Sequence, residues 1–174
     1  MTLGRLWDVL ALLVIAFVIY RLLIAPRSLR EASAFPAPRV SYQTLAGPPF
    51  VLAQHRGRVV FLDFWASWCE PCKAALPLVE TYARSHPNVD VVPIDVGEPR
   101  AVVAAFARKH HMHRVAMDPQ SLSSGFFQIS GFPTMVVIDP QGRVRATWTG
   151  FNPAIELNMG NATRTLAGVS PPSP

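Results

Sequence analysis

Two thiols three residues apart, Cys69 and Cys72, are the only cysteines of this 174-residue chain, with Glu70 and Pro71 between them. A pair spaced in this way can exchange electrons as dithiol and disulfide, supply half of a zinc site, or form a structural crosslink. A closed zinc site takes about four ligands. No second cysteine pair exists, and the histidines at 55, 86, 110, 111 and 113 lack finger spacing. No metal is therefore expected at the thiols. A disulfide around two intervening residues constrains the unfolded chain little, so a purely structural crosslink has small value. Reversible redox chemistry remains.

The elements that must position these thiols are legible on either side of them. Val59, Val60, Phe61 and Leu62, resumed by Phe64 and Trp65, form a run rich in β-branched and aromatic residues that predicts a strand. From Pro71 onward Cys72, Ala75, Leu76, Val79, Tyr82 and Ala83 recur at spacings of three and four, which lines one face of a helix. Proline is tolerated in a first helical turn, so the thiols sit at the start of the helix. There, free backbone N–H groups and the positive end of the helix dipole favour a thiolate. Cys69 is expected to ionise near or below neutral pH, against ~8.5 for a free thiol, and to be the nucleophile. Cys72, turned inward on the apolar face, is the expected resolving thiol.

Asp63 interrupts the apolar strand. A buried carboxyl without a partner is driven towards its neutral form, so Asp63 is either a proton carrier with a raised pKa or a strand-end residue paired outward with a cation such as Lys73. Glu70, between the thiols, sets a negative charge beside the nucleophile, which disfavours a strongly oxidising pair. Trp65 and Trp68 are expected to wall the site or to pack near it. His110, His111 and His113 cluster at a predicted helix end, where capping of the last carbonyls competes with metal binding.

The stretch from Phe61 to Cys72, with Gly131-Phe132-Pro133-Thr134 about sixty residues later, resembles the thioredoxin superfamily. Cys-Glu-Pro-Cys, Val96-Gly97-Glu98 after the second strand and the turn Asp139-Pro140-Gln141-Gly142 narrow the resemblance to membrane-anchored TlpA/ResA-like thiol:disulfide oxidoreductases, over about residues 40–168. The resemblance implies a thioredoxin-like α/β fold. It implies that Asp63 relays the proton of Cys72, that Glu98 is a second possible relay, and that Pro133 is cis and faces the disulfide. Substrate contacts are then expected from Trp68, Pro71, Phe132, Pro133 and Thr134. It further implies reduction of disulfides in exported proteins, with apocytochrome c during cytochrome c maturation as the suspected client. A membrane-embedded thiol donor of the CcdA/DsbD type is the suspected electron source, and no cofactor is expected. A general oxidase or isomerase remains an alternative. A Sco-like copper module, which uses three intervening residues rather than two, is the other.

Half of the residues are apolar, enough for one good core. Residues 1–39 hold five arginines against Asp8 and Glu31, so the high pI reflects the N-terminal region and no basic stripe points to nucleic acid. Leu6 to Ala25 is long enough to cross ~30 Å of hydrocarbon, which predicts a signal anchor within residues 1–26. Ala32-Ser33-Ala34 leaves cleavage as an alternative. Arg21, Arg27, Arg30 and Arg39 against Arg5 would hold the domain in the cytoplasm by the positive-inside rule. The resemblance places it on the extracytoplasmic, periplasmic side of a bacterial cytoplasmic membrane as a single-pass protein, and the expectation follows the resemblance.

Residues 27–49, with four prolines, read as a linker, 50–168 as the thioredoxin-like domain and 169–174 as a disordered tail. Within the domain the predicted order is strand 59–65, helix 70–84 kinked at Pro77, strand 89–96 and helix 100–110. A short strand near Val115, strands 134–138 and 143–149 joined as a hairpin, and helix 153–167 complete a central mixed sheet flanked by helices. No internal repeat or phosphate loop is present.

Overall fold

The computed structural model describes residues 3–20, 34–112 and 114–168, with side chains from residue 7 onward. Helix α1 spans Leu3–Ile19. The strands are β1 (Phe35–Pro36), β2 (Ser41–Thr44), β3 (Phe50–Val51), β4 (Val60–Trp65), β5 (Asp90–Val96), β6 (Ala116–Asp118), β7 (Thr134–Ile138) and β8 (Arg143–Thr149). The further helices are α2 (Glu70–Ser85), α3 (Arg100–Lys109), α4 (Leu122–Phe126) and α5 (Ile155–Ala167). The eight strands form one sheet in the order β1-β8-β7-β4-β5-β6-β2-β3. Strands β4, β5 and β6 run parallel, while β7 and β8 return antiparallel beside β4.

All six residues of β4 are buried, which suits a strand covered on both faces and explains its unbroken apolar run. Side-chain alternation divides it. Val60, Leu62 and Phe64 join a core with Phe50, Leu52, Val92, Ile94 and Phe127. Phe61 packs on the other side with Val79 and Tyr82 of α2 and Met159 and Leu166 of α5. Trp65 continues that side, in a cluster with Cys72 and Leu76 of α2 and Val103 and Ala107 of α3. The short α4 lies against the opposite side, where Ser123 Oγ and Tyr42 Oη are 2.7 Å apart.

The predicted core strands and long helices recur within one or two residues of their expected ends, and α2 runs through Pro77. The expected linker is the main correction. Tyr42 and Val40 carry apolar side chains into the core, and β1 and β2 within residues 27–49 pair with β8 and β6. Prolines are tolerated on edge strands, which is why a proline-rich composition concealed β1. Strand β3 and helix α4, two and five residues long, are too short for periodicity to announce them. The hairpin between β7 and β8 turns at Gly142, with φ +71°, a conformation that residues bearing a Cβ rarely adopt.

Helix α1 is 17 residues long and leaves Trp7, Leu10, Leu12, Leu13 and Phe17 exposed. Among the described residues no helix is long and apolar enough to cross a membrane. The expected anchor extends to residue 26, and Arg21, Arg27, Arg30, the Ala32-Ser33-Ala34 site, His113 and the tail 169–174 lie outside the described residues.

Candidate active site

Cys69 is the N-cap of α2 and Pro71 stands in its first turn, as the spacing predicts. Cys69 and Cys72 are joined as a disulfide with S–S 2.05 Å. The Cys72 backbone N–H donates to Cys69 Sγ at 3.2 Å. Once the bond is reduced, that donor and the helix N-terminus favour negative charge on Cys69 over Cys72. Cys72 is buried against Leu76, Val103 and Ala107, the inward placement expected of the second thiol.

The disulfide opens on a groove of about 620 Å³ lined by Trp68, Cys69, Glu70, Pro71, Ser124, Ile129, Ser130, Gly131 and Phe132. Trp68 is 66% exposed and meets Phe132 edge-on, their ring centroids 5.9 Å apart. The groove thus has an apolar lip with an accessible ring face. Trp65 does not wall it. Its indole is fully buried and packs on Phe106 at 4.9 Å, backing the thiols from inside.

The Phe132-Pro133 bond is cis, as the resemblance implies. Pro133 and Thr134 are both buried, and neither lines the groove. Thr134 donates its hydroxyl to Gly131 O at 2.7 Å, so it shapes the loop that carries Phe132. Glu70 is solvent-exposed and paired with Lys73 at 2.6 Å, which offsets its charge beside the thiols. An exposed pair of this kind contributes little energy, so its effect on Cys69 is small.

Asp63 is buried in mid-strand, opposite Pro93 on β5 and Met135 on β7. The strand-end alternative and a pairing with Lys73 both fail. Burial pushes its carboxyl up to about 7, with a smaller push from the charge of Glu80. It lines a cavity of about 20 Å³ with Ala75, Val79, Pro133, Trp148 and Asn152, among others. This cavity sits beneath α2 and touches the cis proline, so a carboxyl able to gain and lose a proton near neutral pH lies just under the thiol-bearing helix. Trp148 Nε1, buried without a hydrogen-bond partner, belongs to the same cavity wall.

Glu98 reaches the active-site loop from the far end of β5. Its carboxylate accepts the Ser67 backbone N–H at 2.5 Å and the Ser67 hydroxyl at 2.6 Å. Burial alone would raise its pKa, but hydrogen bonds from Asp95 and from the Ser67 hydroxyl and amide hold it below the usual range. Gly97 at φ +83° makes the turn that returns Glu98 towards Ser67, and an added Cβ would lie 3.0 Å from Ser121 Oγ. Ser67 and Asp95 went unremarked in the sequence. Asp95 carried the same signal as Asp63, a carboxylate inside an apolar strand, whereas nothing local marks Ser67.

His110 caps α3 through its backbone N–H and stacks its ring on Phe106 at 4.2 Å. His111 adopts φ 51° in the following turn. Among the described residues no group of three or more histidine, cysteine or acidic side chains is arranged to hold a metal.

A dithiol–disulfide pair capping a helix, set beside a cis-proline loop on a mixed sheet, defines the class of protein. The chain belongs to the thioredoxin-like family, whose profile matches residues 57–144. Its curated relatives include the thiol-disulfide oxidoreductase ResA of Bacillus subtilis, 30% identical over 140 residues, covering 78% of this chain and 77% of that one. ResA of Geobacillus kaustophilus is 31% identical over 119 residues, covering 66% and 67%. Among solved structures, a thiol:disulfide interchange protein of the thioredoxin family from Chlorobium tepidum superposes with TM-score 0.67 at 25% identity, covering 79% of this chain and 99% of that one.

Proposed function

We propose that this protein is a membrane-tethered thiol:disulfide oxidoreductase that reduces disulfides in exported proteins, apocytochrome c before haem attachment being the favoured client. The Cys69 thiolate attacks one sulfur of the client disulfide, forming a mixed disulfide and releasing one client thiolate. Cys72 passes its proton to Asp63, attacks Cys69 Sγ and expels the second client thiolate. Two electrons pass to the client, and the Cys69–Cys72 disulfide closes. A membrane-embedded thiol donor of the CcdA/DsbD type then restores the dithiol.

The observation that carries this reading is the Cys69–Cys72 disulfide at the head of α2, opening on the groove between Trp68 and Phe132. Groove-lining side chains can hold the client while Cys69 attacks at its floor. Kinship with the thiol-disulfide oxidoreductase ResA supports disulfide exchange at this pair, and the pairing of Glu70 with Lys73 leaves the dithiol without a dominant local charge. The apolar side chains exposed along α1 support a membrane tether, and the periplasmic side of a bacterial cytoplasmic membrane follows from the family resemblance alone.

The reduced protein, mixed with a peptide carrying an oxidised Cys-x-x-Cys-His haem-attachment motif, should convert it to the dithiol mole for mole while closing its own disulfide. An unrelated peptide disulfide should react more slowly. No reduction of either would remove the proposed activity, and equal rates would favour a general oxidoreductase.

A further inference from the structure

Asp95 is fully buried on β5, yet the mechanism above does not use it. Its Oδ1 accepts the Glu98 backbone N–H at 3.3 Å, while its Oδ2 is buried and receives no donor. The side-chain neighbour within hydrogen-bonding reach is the Glu98 carboxyl. Two carboxylates cannot bond to each other without a proton, and an ionised oxygen buried without a donor is costly. Both difficulties vanish if Asp95 is protonated and donates to Glu98. Glu98 then accepts from Asp95 and twice from Ser67, two residues before Cys69.

We infer that Asp95 is a positioning residue: it keeps a proton that it shares with Glu98, and through Glu98 it clamps Ser67 and the loop that delivers Cys69.

The surroundings favour this state. Burial is the largest influence on Asp95, followed by the hydrogen bond and charge of Glu98, with Asp118 on β6 adding a smaller repulsion; together they push it up to about 8. Trp65, its neighbour across β4, is neutral. On the β6 side, Asp118 accepts the Leu122 and Ser123 amides. Arg100 at the head of α3 is engaged by Thr44 O, Leu45 O and Met117 Sδ. The pair therefore carries one negative charge rather than two through neutral pH, which limits its opposition to a Cys69 thiolate. Above the Asp95 pKa the proton leaves to solvent, the two carboxylates repel, and the grip on Ser67 loosens.

The consequence for catalysis rests on the proposed exchange reaction, but the test does not. It uses the oxidised full chain in detergent, in which neither cysteine can titrate. The Ser67 amide resonance, followed by ¹H–¹⁵N NMR from pH 5 to 10, should move with a midpoint near pH 8. It should stay flat in Asp95→Asn, whose amide can donate to Glu98 at every pH. A flat wild-type profile, or the same midpoint in the variant, would overturn the inference. Should the variant not fold, the ¹³C carboxyl signal of wild-type Asp95 decides: protonated at pH 7 supports the shared proton, ionised at pH 6 contradicts it.

Discussion

Replacing Cys72 by serine should turn the protein into a trap for its clients. The Cys69 nucleophile and its N-cap geometry survive that change, because the Cys72 contribution to Cys69 is a backbone N–H, which serine also supplies. The mixed disulfide then forms and has no internal thiol to resolve it. Covalent adducts should accumulate on a non-reducing gel and disappear with added dithiol. Cys69→Ser should abolish turnover and trap far less, since Cys72 is packed among Leu76, Val103 and Ala107. Capture of apocytochrome c supports the proposed client. Many unrelated exported proteins would indicate a general oxidoreductase, and an absence of adducts with both variants would falsify the exchange mechanism.

Asp63→Asn should produce two effects of opposite sign. The first is on chemistry. Without a base under α2, resolution of the mixed disulfide by Cys72 should slow by about 10²-fold or more near neutral pH, with attack by Cys69 little changed. Single-turnover measurement of both steps distinguishes this from a general loss of activity, and an unchanged resolution rate would leave Asp63 a structural residue only.

The second effect is on stability. The folded pKa of Asp63 stands near 7 against a reference of 3.8, so between these values the native state holds a proton that the unfolded chain has lost. Its contribution to stability is present in full below about pH 4, falls as pH rises towards 7, and is gone above that. A difference of this size corresponds to roughly 4 kcal/mol. The asparagine variant does not suffer this loss, so it should be more stable than wild type at pH 8 by a few kcal/mol, with the two converging at pH 4. Denaturant unfolding at both pH values measures this. A variant less stable than wild type at pH 8 would show that Asp63 is not held near neutrality by burial.

These expectations rest on features that were unequally visible in the amino-acid order. The thiols, their roles and the strand and helix that carry them were legible because each is a local matter: β4 is a run of six buried residues, and α2 repeats its apolar face over four turns. Asp63 was legible as an anomaly in that run, although only the register with β5 and β7 shows it to be enclosed. The contact of Glu98 with Ser67 was not legible. It joins residues 31 apart through a turn at Gly97, and no local pattern encodes a partner across two strands. Strand β2 failed to register for a similar reason, since its four residues gain stability by pairing with the two-residue β3 and with β6, the latter more than seventy positions later.

Residues chosen for substrate contact divided along the same line. Trp68 and Phe132, expected at the substrate from the family resemblance, both line the groove. Thr134 could not be distinguished from them by type, and its inward hydrogen bond to Gly131 follows from the path of the cis-proline loop. Trp65 and Trp68 differ by three residues and by the whole thickness of the wall, one fully buried and the other 66% exposed.

The central claim is that the Cys69–Cys72 pair works as a reductant, and its reduction potential tests this most directly. Equilibration with glutathione or dithiothreitol buffers, read by the fraction of dithiol, gives the value. The account predicts about −270 mV or below, in the range of thioredoxin, whereas a potential near ~−120 mV, that of a strong oxidant, would contradict it.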